Sequence, residues 1–273
     1  MQIRFLCPRW GSEALSWNSF IQKVKGAGYD GIECGLPAGT SRVWIEDVFE
    51  ECASQGLMFI PQHWDTYESN FQQHRKTYAH WFSLVETIRP AFINSQTGKD
   101  FFTQQQNAEI IGIADEFTKR TGVPVYHETH RNKFSFACHV TRQYLDAMPS
   151  LKITLDASHW VNVAESFLED QADNMNAAIQ RTAHIHARVG HTQGSQVTDP
   201  RQPEWEQALW HHLQWWDAVV RRKRALKAPT LTITPEFGPA PYMVQMPGTR
   251  EPIADQWGIN ESMMNLLRER YRK

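Results

Sequence analysis

The chain has 273 residues, with 28 lysines and arginines against 30 aspartates and glutamates, a formal charge of −2. That length supports a sizeable core in one large domain or two small ones, and 41% hydrophobic residues with 11 tryptophans exclude a disordered chain. The near-neutral charge argues against binding through nucleic-acid phosphates, no apolar run approaches the roughly 18–20 residues of a membrane span, and the first 17 residues lack the apolar core of a signal peptide.

A cytoplasmic protein with neither a membrane nor a nucleic-acid partner is therefore expected. Cys7, Cys34, Cys52 and Cys138 show no CxxC spacing and read as free, mostly buried thiols in a reducing compartment. The one oddity of composition is 12 histidines in a chain of ordinary charge.

Short apolar or β-branched runs recur along the chain, each predicted as a strand. The first is 3–7, followed by an amphipathic stretch through Ile21, Val24 and Ala27. The second is 31–36, followed by helical spacing around Val48 and Phe49, and the third is 57–63. An aromatic-rich helix through Trp81, Val85 and Ile88 leads to the fourth, 91–95. Ile110, Ile113, Ala114 and Phe117 at helical spacing precede the fifth, 123–128. Val140, Tyr144 and Leu145 precede the sixth, 151–156, and a helix over 167–179 leads to the seventh, 183–189. A helix through Leu209, Leu213, Trp216 and Val220 ends in the basic run 221–224, read as a solvated terminus that complements the helix dipole, and the eighth strand is 231–237.

Strands alternating with helices imply a parallel sheet, and eight such units fit a single (β/α)8 TIM barrel over 1–273. A doubly wound sheet is the rival, but the turn after the first strand reads Cys-Pro-Arg-Trp-Gly rather than GxGxxG. Two long loops, 190–204 and 238–258, follow strands and would lie on the C-terminal face as lids or binding loops. Trp10, Trp64, Trp160 and Trp257 are candidates to pack on a ligand near that mouth.

Parallel strands buried on both faces should be apolar, so charged residues at their ends need an explanation. Strand five ends in Glu128, with His130 just beyond; strand six ends in Asp156, with His159 beyond. Strand seven carries His184, His186 and Arg188 on one side, and strand eight ends in Glu236. Strand three adds His63 and strand two adds Glu33. Three converging carboxylates repel one another unless a cation sits among them. Carboxylate and imidazole donors suit one divalent metal ion, with Mn²⁺ preferred for a hard site and Mg²⁺, Co²⁺ or Zn²⁺ as alternatives; the lack of thiolates disfavours structural zinc.

Asp156-Ala-Ser-His159, His184-Ile-His186 and Pro235-Glu236-Phe237-Gly238, one per strand and in this order, make the chain similar to the xylose-isomerase-like TIM-barrel superfamily, which includes sugar phosphate isomerases/epimerases, ketose 3-epimerases and apurinic-site endonucleases. The resemblance spans strand one to strand eight. It implies that Glu128, Asp156, His186 and Glu236 bind one divalent metal, that Glu128 and Glu236 exchange protons with a sugar carbon from opposite faces, and that His159 touches the substrate. Where the epimerases carry a substrate-binding arginine, six residues beyond the metal histidine, this chain has Thr192, and Arg188 is the nearby candidate. The trinuclear endonuclease pattern lacks two ligands: residues 94–98 read Asn-Ser-Gln-Thr-Gly, and Asp199-Pro200-Arg201 has arginine in place of histidine.

The expectation is a metal-dependent isomerase or epimerase of a small ketose or sugar derivative, acting through an enediolate. Glu128 and Glu236 are its acid and base, and His159, Arg188, His63, His130 and Glu33 contact the substrate. A lyase or dehydratase on a keto-sugar or cyclitol is the alternative; an endonuclease or a non-catalytic barrel fits less well. A homo-oligomer is compatible with the sequence.

Overall fold

The computed structural model describes residues 1–272. All eight expected strands are present: β1 (Gln2–Pro8), β2 (Gly31–Gly35), β3 (Met58–His63), β4 (Ile93–Ser95), β5 (Val125–Glu128), β6 (Ile153–Leu155), β7 (Thr182–His186) and β8 (Thr230–Thr234). Between them run α1 (Trp17–Ala27), α2 (Arg42–Ser54), α3 (Phe71–Val85), α4 (Gln104–Thr121), α5 (Cys138–Ala147), α6 (Ala157–Ala164), α7 (Ala172–Arg181) and α8 (Glu206–Ala225), and α9 (Gln256–Arg270) follows β8. Each strand pairs in parallel with the next, and β1 closes on β8 through Gln2↔Thr230 to Phe5↔Ile233. The architecture is a single-domain (β/α)8 TIM barrel. No helix is long and apolar enough to cross a membrane among the described residues.

Strands β7 and β8 stop at His186 and Thr234, short of the expected 189 and 237, α9 starts inside the loop expected over 238–258, and the largest departure lies between β6 and β7. The helix expected over 167–179 is α7, which starts only at Ala172, and the extra helix α6 precedes it. Asp156 leaves β6 and immediately caps α6, its side chain accepting from the Ser158 amide. Glu165 and Leu168, at φ 50° and 59°, then take left-handed backbone and break the helical run. Strand β6 and helix α6 thus share a junction with no loop between them.

The sheet separates two apolar cores. Outward-facing residues such as Phe5, Ile32, Phe59, Ile93, Ile153, Ile185 and Ile233 pack under the helices in the larger one. Leu6, Ile60 and Phe92, with Met58 and Tyr126 against them, form the smaller one inside the barrel. Gly31 makes room for it, since a Cβ there would stand 2.6 Å from Met58 Cβ and 2.9 Å from Leu6 Cδ2. Above this plug the inward residues turn polar: Glu33, Gln62, Asn94, Glu128, His184 and His186.

The four cysteines are free and buried, and burial raises their thiol pKa values. Seven of the histidines are buried, and several are packing groups. His127 bonds Thr97 Oγ1 (2.7 Å); His212 bonds the Ala208 carbonyl (2.8 Å) and accepts from the Gly190 amide (3.3 Å). Burial lowers their pKa values to about 3 and about 4 respectively. In the unfolded chain each titrates near 6.5. As pH falls below that, the unfolded state takes up the proton first, so stability drops until the folded pKa is reached, by ~1.4 kcal/mol per pH unit per histidine. In urea unfolding between pH 6 and 4.5, His212→Gln should therefore show a shallower loss of stability than the parent protein, by about that slope; parallel pH profiles would contradict the assignment.

Candidate metal centre and the cavity above it

Four successive strand ends deliver Glu128, Asp156, His186 and Glu236 to one point. Each offers a ligand atom, and these atoms lie within 4.8 Å of one another. All four residues are buried. Two overlapping groups meet the same limit, Glu33 with His184 and His186 below, and Glu128 with His130 and His159 to the side. Only the first group combines three carboxylates with an opening to the cavity.

His186 is the test of whether a cation fits. Its Nε2 lies 3.0 Å from Glu33 Oε1, the geometry of an N–H donating to a carboxylate. Its Nδ1 lies 2.9 Å from Glu236 Oε2 and 3.6 Å from Glu128 Oε1, yet forms no well-directed hydrogen bond and is a buried polar atom with no partner. A lone pair facing two carboxylates is repulsive unless something positive lies between them. Burial opposes a charged imidazole, but Glu236, Glu33 and Glu128 prevail and hold its pKa well above the ordinary value. The pocket therefore calls for positive charge at this point, and a divalent ion supplies it as well as a proton does. The backing of a ligand imidazole by a carboxylate is the usual second half of such a centre. These buried Glu, Asp and His side chains could chelate a divalent ion in the barrel core.

Neutral amides fix the carboxylates. Gln62 Nε2 donates to Glu128 Oε2 (3.3 Å) and Glu236 Oε1 (3.2 Å). Asn94 Nδ2 donates to Glu128 Oε2 (3.1 Å), and Gln96 Nε2 reaches the same group at 3.3 Å. Burial raises the pKa of both glutamates, but His186 outweighs it and both are held low. Asp156 behaves oppositely: burial pushes its pKa up despite the Arg188 guanidinium bonded to it.

Arg188, buried just beyond β7, also lies 3.5 Å from Glu236 Oε2 and stacks 4.7 Å from the Tyr242 ring centroid. His159 sits between two guanidinium groups, Nε2 at 2.8 Å from Arg188 Nη2 and Nδ1 at 3.0 Å from Arg131 Nη1. Burial and its cationic neighbours push its pKa well below the ordinary value, so it is neutral. His130 lies against it, ring centroids 3.9 Å apart and planes tilted by 50°, and faces the Tyr242 hydroxyl at 3.4 Å.

Above the centre opens a cavity of about 600 Å³. Glu128, Glu236, Arg188 and His130 line its floor and wall, as do Trp10, Trp64 and Tyr242. Of the other sequence candidates, Glu33 lies inside the barrel beneath His186, where it also binds His184 Nε2 (3.2 Å) and Thr234 Oγ1. His63 is not brought to the cavity: it bonds Thr66 Oγ1 (2.7 Å) and the Gln96 carbonyl (3.1 Å) and packs edge-on against Tyr78 and Trp81. Its neighbour Gln62 takes the inward place, because Ile60 points into the barrel and alternate residues share a face. Trp160 is buried on the Ser135 carbonyl, and Trp257 lines a separate cavity of about 390 Å³. Asp199 is held by Arg201 (2.6 Å) rather than standing as a metal ligand.

Gln62, Asn94, Gln96, Arg131, Lys133 and Tyr242 were not singled out from sequence. The inward phase of β3 and β4 could have pointed to Gln62 and Asn94; nothing local marks Tyr242, which a long loop carries in.

No protein-family model matches the chain, and no curated protein is significantly similar to it. Solved structures share its fold. A protein of Bacillus anthracis given the name probable 3-DHS dehydratase AsbF, involved in petrobactin synthesis, is 18% identical, with 97% of this chain and 98% of that one covered and a TM-score of 0.59. A provisionally named sugar phosphate isomerase/epimerase of Anabaena variabilis is 11% identical over 100% and 99%, with a TM-score of 0.57. Endonuclease IV of Thermus thermophilus is 12% identical over 97% and 99%, with a TM-score of 0.55. At these identities the likeness is one of fold.

Two outcomes follow from the centre. Mn²⁺ at 100 times its dissociation constant should stabilise chelator-treated protein by about 2.7 kcal/mol, seen as a rise in Tm; no rise with Mn²⁺, Mg²⁺, Co²⁺ or Zn²⁺ would remove the cation from this account. Glu33→Gln should weaken metal binding about 10- to 100-fold in calorimetric titration while the fold persists, and unchanged affinity would deny Glu33 its orienting role.

Proposed function

We propose that the protein is a divalent-metal-dependent isomerase or epimerase of a small ketose or sugar derivative. The observation that carries this reading is that Glu128 and Glu236 reach the ligand group from different strands, both line the cavity, and both are tied to the single amide of Gln62. Glu128, Asp156, His186 and Glu236 would hold the ion, with Mn²⁺ our preference for three carboxylate ligands. A bound ion supplies Lewis-acid polarisation of the substrate carbonyl.

The chain's own groups do the rest. One glutamate takes the proton from the carbon beside the carbonyl, and the freed electron pair enters an enediolate. The other glutamate, which must enter that turnover carrying a proton taken from solvent, returns it, and the first glutamate gives up its own to solvent before the next turnover. Return to the opposite face of the same carbon inverts it; return to the neighbouring carbon moves the carbonyl. Arg188 donates to a substrate oxygen that gains negative charge. His159 does not line the cavity; it lies behind Arg188, Nε2 at 2.8 Å from Nη2, and steadies that guanidinium for the substrate. Trp10, Trp64 and Tyr242 shield the reacting carbon from bulk water, and the loops 190–204 and 238–258 close over it.

A dehydratase on a keto-sugar or cyclitol is the second reading. It shares the first proton abstraction, and the Tyr242 hydroxyl facing His130 could protonate a departing hydroxyl group. The protein named as a 3-DHS dehydratase has the same barrel.

The decisive experiment incubates the Mn²⁺-loaded protein in D₂O with a panel of ketoses and aldoses and follows deuterium at the carbon next to the carbonyl. Exchange with conserved substrate mass apart from the label supports isomerisation or epimerisation; loss of water with growth of an enone absorbance supports the dehydratase. Glu236→Gln at saturating metal should keep its circular dichroism spectrum and lose more than about 100-fold in turnover. A near-normal rate in that variant would sink the proton-transfer role.

A further inference from the structure

Positive charge on the cavity wall goes beyond what the metal centre uses. Lys133 lines the cavity and is 2% exposed. Its ammonium donates only to the Trp64 carbonyl, at 3.4 Å, and has no carboxylate within 4.0 Å among the described residues. Lys99, also buried, has neither an ion-pair partner nor a hydrogen-bond partner for its ammonium among the described residues. Both ammonium groups lie over one ring, that of Tyr67, at 5.9 Å and 5.6 Å from its centroid.

Buried ammonium groups are normally paired, because desolvation is costly and like charges repel. Here two lie within 6 Å of the centroid of one ring. Burial first, and Lys99 second, lower the Lys133 pKa to about 8, near the point where it would shed its charge. The acidic groups that face the pair act from farther away. Glu128 is committed to Gln62, Asn94 and Gln96; Asp65 accepts from the Ala38 amide (2.8 Å); Glu68 accepts from Thr77; and Asp100 lies beyond ion-pair distance. Asp65 Oδ1 and Glu68 Oε2 keep no hydrogen-bond partner, so these carboxylates balance the two lysines only through space, and a neutral sugar in the cavity would give neither ammonium a contact partner. An anion would complete it.

We infer that the substrate carries an anionic substituent, a carboxylate or a phosphate, which docks on Lys133 with Lys99 behind it. This deepens the reading above and rests on it for the location of the reacting end. The reacting carbon faces Glu128 and Glu236, and the charged end reaches the wall at Tyr67. Trp64 and Tyr67 give that end an apolar side to lie against.

The test uses three ketoses that differ only at C6: D-fructose, D-fructuronate and D-fructose 6-phosphate. Calorimetric titration of the Mn²⁺-loaded protein should show one charged member binding at least tenfold more tightly than fructose. That preference should collapse in Lys133→Met and return in Lys133→Arg, and the member that shows it distinguishes carboxylate from phosphate. A second measurement does not depend on sugar stereochemistry or on turnover. In chelator-treated protein, malonate or inorganic phosphate should slow reductive methylation of Lys133, which lines the cavity, but not of the exposed Lys119. The inference is overturned if fructose binds as well as both charged sugars, if Lys133→Met leaves the preference intact, or if neither anion protects Lys133. Deuterium exchange into fructose with no dependence on Lys133 would overturn this inference and keep the isomerase reading. Lys133-dependent binding of a charged sugar without exchange would do the reverse.

Discussion

Four carboxylates buried around one imidazole set the terms for the rest of this molecule. Glu33, Glu128 and Glu236 all approach His186 within 3.6 Å, and Asp156 completes the ring. Charges so placed would drive a barrel apart or pick up protons unless they are compensated. The compensation is layered. Glu33 orients the imidazole from beneath; Gln62, Asn94 and Gln96 clamp the glutamates from the side; Arg188 binds Asp156 from above. What is left over is His186 Nδ1 facing Glu236 and Glu128 without a hydrogen bond, and a demand for one more positive charge.

The barrel meets this demand by geometry that is not specific to any chemistry. Parallel closure brings β5 to β8 side by side, so one residue at each strand end suffices to build a four-ligand group. The β6–α6 junction adds precision, since Asp156 is at once strand end, helix cap and Arg188 partner. Shifting it would cost the cap and the ion pair together.

Much of this was legible in the sequence because strands buried on both faces must be apolar. Against that background Glu128, Asp156, His186 and Glu236 stand out, and the eight apolar runs give the topology. Other parts were not. Gln62, Asn94 and Gln96 carry no charge and look like ordinary polar residues until the carboxylates they hold are in view. His63 drew attention by its chemistry, yet strand phase turns it outward and gives its place to Gln62. The α6 helix was hidden because Asp156 reads as a strand-end ligand and serves as a helix cap as well. Lys133 and Tyr242 reach the site from loops whose path no local pattern fixes.

Leu6, Ile60 and Phe92, with Gly31 making room for them, turn the barrel into a blind well rather than a tube. The Glu33–His184 layer lies between that stopper and the ligand group. A proton can enter or leave this layer only by passing the ligands and the occupant of the cavity. For any ligand that fills the cavity, the Glu33–His184 layer would keep the protonation state it had on binding, so solution pH would reach that layer through the encounter itself.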